Sequence, residues 1–261
     1  MAATKREREY ARKRQEKWEQ RRAQARARRQ RTFAIVAIVA VLALVGGGLV
    51  VANLGNAADP ADSPTPQAAG DCPAASTGAR SGGDLPDPSA AQDRTWTATL
   101  AMCAGGVESQ VVLDLDGAAA PQAVASFVAL ADQGYYDDTA CHRLTTSGIY
   151  VVQCGDPTGT GSGDPGYSYG PIENAPHDDV YPAGTVAMAR RGDDGESMGS
   201  QFFVVYQDST IPSDTAGGYT VLGTVTSGLD AVQAVADEGV EGGAGDGAPT
   251  TPVIIEGVET Q

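Results

Sequence analysis

No lysine follows Lys17 in this chain of 261 residues, and there are only two histidines, His142 and His177. Isolated histidines without cysteine or carboxylate at ligand spacing give no metal-site signal, so no metal is expected. Beyond residue 32 the only basic residues are five arginines, Arg80, Arg94, Arg143, Arg190 and Arg191, against 29 acids. A segment so acidic repels phosphate backbones, which argues against a nucleic-acid partner. Cysteines number four, Cys72, Cys103, Cys141 and Cys154, and none directly follows the long apolar run described next, which speaks against a lipid-modified anchor. No internal repeat is present.

The net charge of -15 averages two unlike parts. Thirteen of the 18 Lys and Arg stand at or before Arg31, against four acids there. Phe33 to Asn53 then runs 21 residues without a charge. At the helical rise such a run spans roughly 30 Å, the thickness of a bilayer's hydrocarbon core. Basic residues on its N-terminal flank predict a cytoplasmic segment 1–32, a transmembrane helix over 33–53 and a chain continuing outside the cell membrane. A cleaved signal peptide would have a shorter apolar stretch and a shorter leader, so the run reads as an uncleaved anchor in the lipid bilayer. The basic segment fixes topology and meets anionic headgroups.

Residues 54–92 are rich in Ala, Asp, Pro, Gly and Ser, with hardly any large apolar side chain. Such a stretch buries too little surface to offset its ordering entropy and is expected to be a flexible linker. Order is expected to return over 93–261. Thr95 to Met102 and Glu108 to Leu115 read as strands joined by a turn at Ala104-Gly105-Gly106. Pro121 opens a helix with Val124, Phe127, Val128 and Ala131 on one face, and Gly134 ends it. Further strands are expected at Ala140 to Thr145, Ile149 to Gln153, Gly184 to Ala189, Gln201 to Tyr206 and Tyr219 to Val225. A second helix is expected over Leu229 to Ala236. The even cysteine count, in a domain placed outside the cytoplasm, invites disulfides.

The motifs fall in one order. Cys141-His142-Arg143-Leu144 precedes Tyr150-Val151-Val152-Gln153-Cys154-Gly155-Asp156-Pro157-Thr158-Gly159-Thr160-Gly161. Gly184 to Ala189, Gly199-Ser200-Gln201-Phe202-Phe203 and Tyr219-Thr220-Val221-Leu222-Gly223 follow. The series resembles the cyclophilin family of peptidyl-prolyl cis-trans isomerases, in its bacterial anchored form. The resemblance implies a mainly β fold, a closed eight-stranded antiparallel barrel capped by two helices, with no cofactor. Its substrates would be proline-containing polypeptides held in a groove on the outer face.

Carried over residue by residue, the resemblance makes Arg143 the catalytic group. It gives substrate contacts to Tyr150, Val151, Gln153, Gly161, Ala189, Arg190, Gln201, Phe203, Ile211, Tyr219 and Leu222. It also sets Cys141 opposite Cys154, implying a bridge; of the remaining pair, Cys72 is expected to staple the linker to the first strand through Cys103. His142 neighbours Arg143 and on a strand points the other way, so it reads as structural. The chain departs from the family at several places. Tyr150 stands for a Phe, and Arg190-Arg191-Gly192 stands for Asn-Ala-Gly, so Arg191 narrows a neighbouring pocket or favours acidic residues. Thr210 and Tyr219 replace rim aromatic and His residues, so cyclosporin binding does not carry over. The alternative reading is a module that binds proline segments without turnover.

Overall fold

The computed structural model describes residues 72–261, so the expected basic segment, the membrane helix over 33–53 and most of the linker lie outside the described residues. Among the described residues no helix is long and apolar enough to cross a membrane. The elements in chain order are β1 (Thr95–Ala104), β2 (Val107–Asp116), α1 (Pro121–Asp132), β3 (Thr139–Ala140) and β4 (Arg143–Thr145). Then come β5 (Val151–Cys154), β6 (Val180–Tyr181), β7 (Thr185–Met188), β8 (Phe202–Val205) and β9 (Ser209–Thr210). The chain ends with β10 (Val221–Ser227), α2 (Leu229–Glu238), β11 (Asp246–Gly247) and β12 (Val253–Thr260).

Ten strands form one antiparallel sheet in the order β11-β4-β5-β8-β7-β10-β2-β1-β12-β3, and β6 pairs with β9 apart from it. The expected closed barrel of eight strands is thus corrected to a curled ten-stranded sheet whose end strands, β11 and β3, do not pair with each other. The physical reason is a break at Cys141-His142. There one chain run divides into β3, paired with β12, and β4, paired with β5 and β11. The two expected helices are present.

Local sequence explains the elements. The β1–β2 hairpin turns at Gly105 and Gly106, whose φ values of 57° and 80° suit a tight hairpin connection and are easy only for glycine. Alternation along the hairpin sends Ala98, Leu100 and Met102 inward from β1 and Val111, Leu113 and Leu115 inward from β2. Against them α1 lays Ala123, Val124, Phe127, Leu130 and Ala131. The first free amides of α1, on Gln122 and Ala123, donate to the Glu173 carboxylate, each at 3.0 Å. Phe127 packs with Tyr136 and Phe202 at centroid distances of 5.1 and 5.4 Å, which fixes the helix on β8.

Part of the expected flexible linker is ordered, a second correction. Cys72 is bonded to Cys103 with Cα atoms 5.5 Å apart. Arg80 donates from Nη1 to the carbonyls of Gly134 and Tyr135 at 3.1 and 2.9 Å. A Cβ on Gly82 would meet Leu130 Cδ2 at 2.5 Å, so the backbone passes there only because the residue is glycine. Side chain–backbone bonds and one covalent staple therefore hold 72–92 in place of the apolar burial that the segment lacks. The second expected bridge, Cys141–Cys154, is present as well, inside the curl of the sheet.

Candidate active site

The central strands β5, β7 and β8 are buried on both faces, and their alternation divides two clusters. Val152, Cys154, Val186, Met188, Phe202 and Val204 join the main core, whereas Val151, Ala187, Phe203 and Val205 point outward. Outward residues normally meet solvent. Here they are covered by Tyr181 and Ile211 from the β6–β9 ribbon and its exit, with Ile149 and Tyr219 packed beside them. The cover leaves a cavity of about 170 Å³, floored by Val151 and Phe203 and walled by Ile149, Ile211 and Tyr219. Arg143 and Gln153 form its polar edge.

Register places that edge. Arg143 on β4 is the partner of Gln153 on β5, and Gln153 is the partner of Phe203 on β8. Arg143 Nη1 donates to Gln153 Oε1 at 3.1 Å, Gln153 Nε2 donates to Gln201 Oε1 at 2.9 Å, and Gln201 Nε2 donates to the carbonyls of Gly161 and Gly163 at 3.1 and 2.9 Å. The far side of the guanidinium is held by Asp246, Nε to Oδ1 and Nη2 to Oδ2, each at 2.8 Å. That contact raises the Arg143 pKa further and lowers that of Asp246. With Asp246 and Gln153 engaged, one N–H on Nη1 and one on Nη2 remain available to a ligand.

Several expected contacts are brought together and others are not. Val151, Gln153, Phe203, Ile211, Tyr219, Ala189 and Arg190 line the cavity with Arg143, and Gly161 and Gln201 border the adjoining groove. Tyr150 does not line it. Its ring packs against Tyr206 at 5.9 Å and its N–H donates to Ser209 Oγ, so Ile149 takes the wall position. Leu222 does not line it either: it is wholly buried in the main core, at a register irregularity between Val221 and Gly223, while Val221 lies beside the outer cluster. Ala189 gives its N–H to Gln201 O, which leaves its carbonyl as the group it can offer.

Arg190 lines the cavity, but its guanidinium is committed elsewhere. Nε donates to Gly218 O, Nη1 to Arg191 O and Asp214 Oδ2, and Nη2 to Asp214 Oδ1 and Gly217 O, which uses all five N–H groups. Its carbon Cζ lies 4.7 Å from the Tyr219 ring centroid, so the pair Arg190–Asp214 supports the ring that walls the cavity. Phe203 meets the same ring edge to face at 5.6 Å. His142 sits behind the groove, where a Cβ on Gly161 would lie 3.4 Å from its Cδ2. Neither ring nitrogen has a hydrogen-bond partner. Burial lowers its pKa more than the Asp156 carboxylate raises it, and the Arg143 charge lowers it further.

Two residues of the site carried no recognisable signal. Asp246 lies in the glycine-rich stretch 239–247, without periodicity, and Asp214 in the loop before Tyr219. Among the described residues no group of three or more His, Cys, Asp or Glu could hold a metal ion.

The fold is similar to that of a crystal structure described as a cyclophilin type peptidyl-prolyl cis-trans isomerase of Cryptosporidium parvum. That structure superposes with a TM-score of 0.53 at 23% identity, covering 64% of this chain and 98% of that one. The likeness establishes the fold. The family model described as "Cyclophilin type peptidyl-prolyl cis-trans isomerase/CLD" matches residues 99–260, and the chain belongs to that family. A "Probable peptidyl-prolyl cis-trans isomerase B" of Mycobacterium leprae is 40% identical over 181 residues, 65% of this chain and 59% of that protein. A protein of the same name from Mycobacterium tuberculosis is 45% identical over 150 residues, 53% of this chain and 47% of that one. The chain therefore spans about half to three-fifths of the length of these relatives. The "Peptidyl-prolyl cis-trans isomerase B" of Bacillus subtilis, 40% identical over 123 residues, is covered to 80% of its length.

Proposed function

We propose that the chain is a peptidyl-prolyl cis-trans isomerase acting on polypeptides outside the cytoplasmic membrane. The observation that carries this is the Arg143 guanidinium at the edge of a small apolar cavity, held on one side by Asp246 and Gln153 with two N–H groups left over. Rotation about a peptide bond meets a barrier of roughly 18–20 kcal/mol, because the nitrogen lone pair is delocalised into the carbonyl. As the bond twists, the lone pair returns to nitrogen, which becomes pyramidal and basic. A fixed cationic donor beside that atom stabilises the twisted state more than either planar isomer, which is the requirement for catalysis. Guanidinium suits the role because it stays protonated across the working pH range.

Val151, Phe203, Ile149, Ile211 and Tyr219 would take the proline ring, and Gln153 and Gln201 the neighbouring backbone. Membership of a family whose relatives carry the isomerase name supports the reading. So does a solved cyclophilin-type structure described in the presence of the dipeptide Ala-Pro. The location outside the membrane rests on the basic segment 1–32 and the uncharged run 33–53. The two disulfides suit an oxidising compartment.

The test is exchange between cis and trans forms of a proline-containing peptide, measured by NMR with the full chain in detergent. Arg143→Ala is expected to lower the catalysed rate about 100-fold or more, as for loss of a transition-state donor. Equal rates for the two proteins would exclude Arg143 as the catalytic group. A second reading, a proline-segment binder without turnover, is favoured by Asp246, whose carboxylate neutralises part of the Arg143 charge. In that case the peptide binds while its isomers interconvert at the uncatalysed rate.

A further inference from the structure

The described segment holds 26 acids and five arginines, so the fate of each cation can be followed. Arg80 is spent on the carbonyls of Gly134 and Tyr135. Arg94 stacks on Trp96, its Cζ 3.5 Å from the ring centroid, and donates to Gln92. Arg143 is paired with Asp246 and Arg190 with Asp214. Only the Arg191 side chain has no hydrogen-bond, carboxylate or ring partner among the described residues.

Its backbone, by contrast, is fixed. Arg191 N–H donates to Ser197 Oγ at 2.8 Å and its carbonyl accepts from Arg190 Nη1 at 3.0 Å. The acids nearest in sequence are turned to other tasks: Asp193 accepts from Thr215 Oγ1 at 2.7 Å and Asp194 from the Glu196 N–H at 3.1 Å. Arg191 lines a cavity of about 580 Å³ that shares Gln153, Ala189 and Arg190 with the small apolar pocket. The one carboxylate among the residues lining that cavity, Asp164, accepts the Gly166 N–H at 2.8 Å within its own loop.

An unpaired cation in so acidic a domain, at a cavity adjoining the pocket, is placed to meet an anion from outside. We infer that Arg191 makes the groove selective for polypeptides carrying an acidic side chain within a few residues of the proline, the carboxylate entering the larger cavity. The guanidinium would pair with it through charge-assisted hydrogen bonds, with Ser162 and Ser168 as further polar groups of that wall. The inference rests on the isomerase reading above and adds the substrate class.

The experiment compares kcat/KM for peptides with one proline and Glu, Gln or Lys, placed in turn at each of the three positions before and after it. It uses the full chain, its Arg191→Gln variant and its Arg191→Glu variant, with thermal melts to establish that each is folded. At one position or more the wild type is expected to favour Glu over Gln about three- to tenfold, the range of a partly solvated charge pair. Arg191→Gln brings that ratio to unity, and Arg191→Glu favours a Lys peptide at the same position. Turnover of all peptides with no Glu preference, or with a preference that survives in Arg191→Gln, overturns the inference and leaves the isomerase reading intact. Failure of the wild type to turn over any peptide overturns both.

Discussion

Asp246 grips Arg143 through both carboxylate oxygens, Nε to Oδ1 and Nη2 to Oδ2 at 2.8 Å, from a strand only two residues long. The fork orients the guanidinium plane. A residue in the glycine-rich approach to β12 thus sets the direction in which the proposed catalytic donor points.

Removing that grip is expected to lower turnover without emptying the apolar pocket. Asp246→Asn should lose roughly three- to tenfold in kcat with little change in KM, consistent with a half-exposed ion pair acting on geometry. Asp246→Glu should recover part of the loss. Steady-state kinetics on one neutral peptide checks this, and an equal loss in both variants would show that the carboxylate is not positioning Arg143.

Arg190 has all five donors engaged and a side chain only 1% exposed, so its removal takes the cation from Asp214 and the side-chain donor from Gly218 O. Arg190→Ala is expected to destabilise the domain by about 2–3 kcal/mol in urea unfolding. Arg190→Lys should restore little, because a point charge cannot replace the planar fork. Loss of near-ultraviolet circular dichroism with retained far-ultraviolet signal would report the freed Tyr219 ring.

His142 gives stability a slope with pH. Its folded pKa lies below the unfolded value of about 6.5, so the unfolded chain binds the proton first. The stability contributed by the neutral ring is fully present above about pH 6.5 and is lost as pH falls from there through the folded pKa. His142→Gln should flatten that decline when urea midpoints are compared at successive pH values. An unchanged slope would assign the decline to other groups.

The Cys72–Cys103 bridge closes a loop of sequence separation 31 and touches no pocket residue. Cys72→Ser with Cys103→Ser is expected to cost about 2–4 kcal/mol. It should also open residues 73–92 to proteolysis while the isomerisation rate of the folded protein is retained. A mass shift after limited trypsin digestion reads the first effect, since Arg80 is the cleavage site there.

Where periodicity and turn chemistry act locally, the sequence was legible. The turn at Gly105-Gly106, the helix opening at Pro121, the paired cysteines and the outward Val151 and Phe203 all follow from short-range pattern or from the motif series. The misassigned residues lie where register shifts. Tyr150 and Ile149 follow the turn after β4 and precede β5, where neither periodicity nor the motif series tells which of the two faces the pocket. Leu222 stands at a register irregularity between Val221 and Gly223, where alternation cannot be counted from the preceding turn. Asp246 was invisible for another reason: its partner lies 103 residues away and its own segment has no pattern.

The division of one chain run into β3 and β4 has a consequence for how the protein opens. Thr139 and Ala140 pair with Ile255 and Ile254, and Arg143 and Leu144 pair with Gln153 and Val152. The few residues that carry Arg143 therefore link the β12–β3 end of the sheet to its β11–β4 end. Any fluctuation that unzips this link exposes the amides of β3, β4 and β5 together. The proposed catalytic group thus belongs to the unit whose integrity decides whether the sheet stays curled, and a folded domain with that group adrift is not a state the topology readily allows.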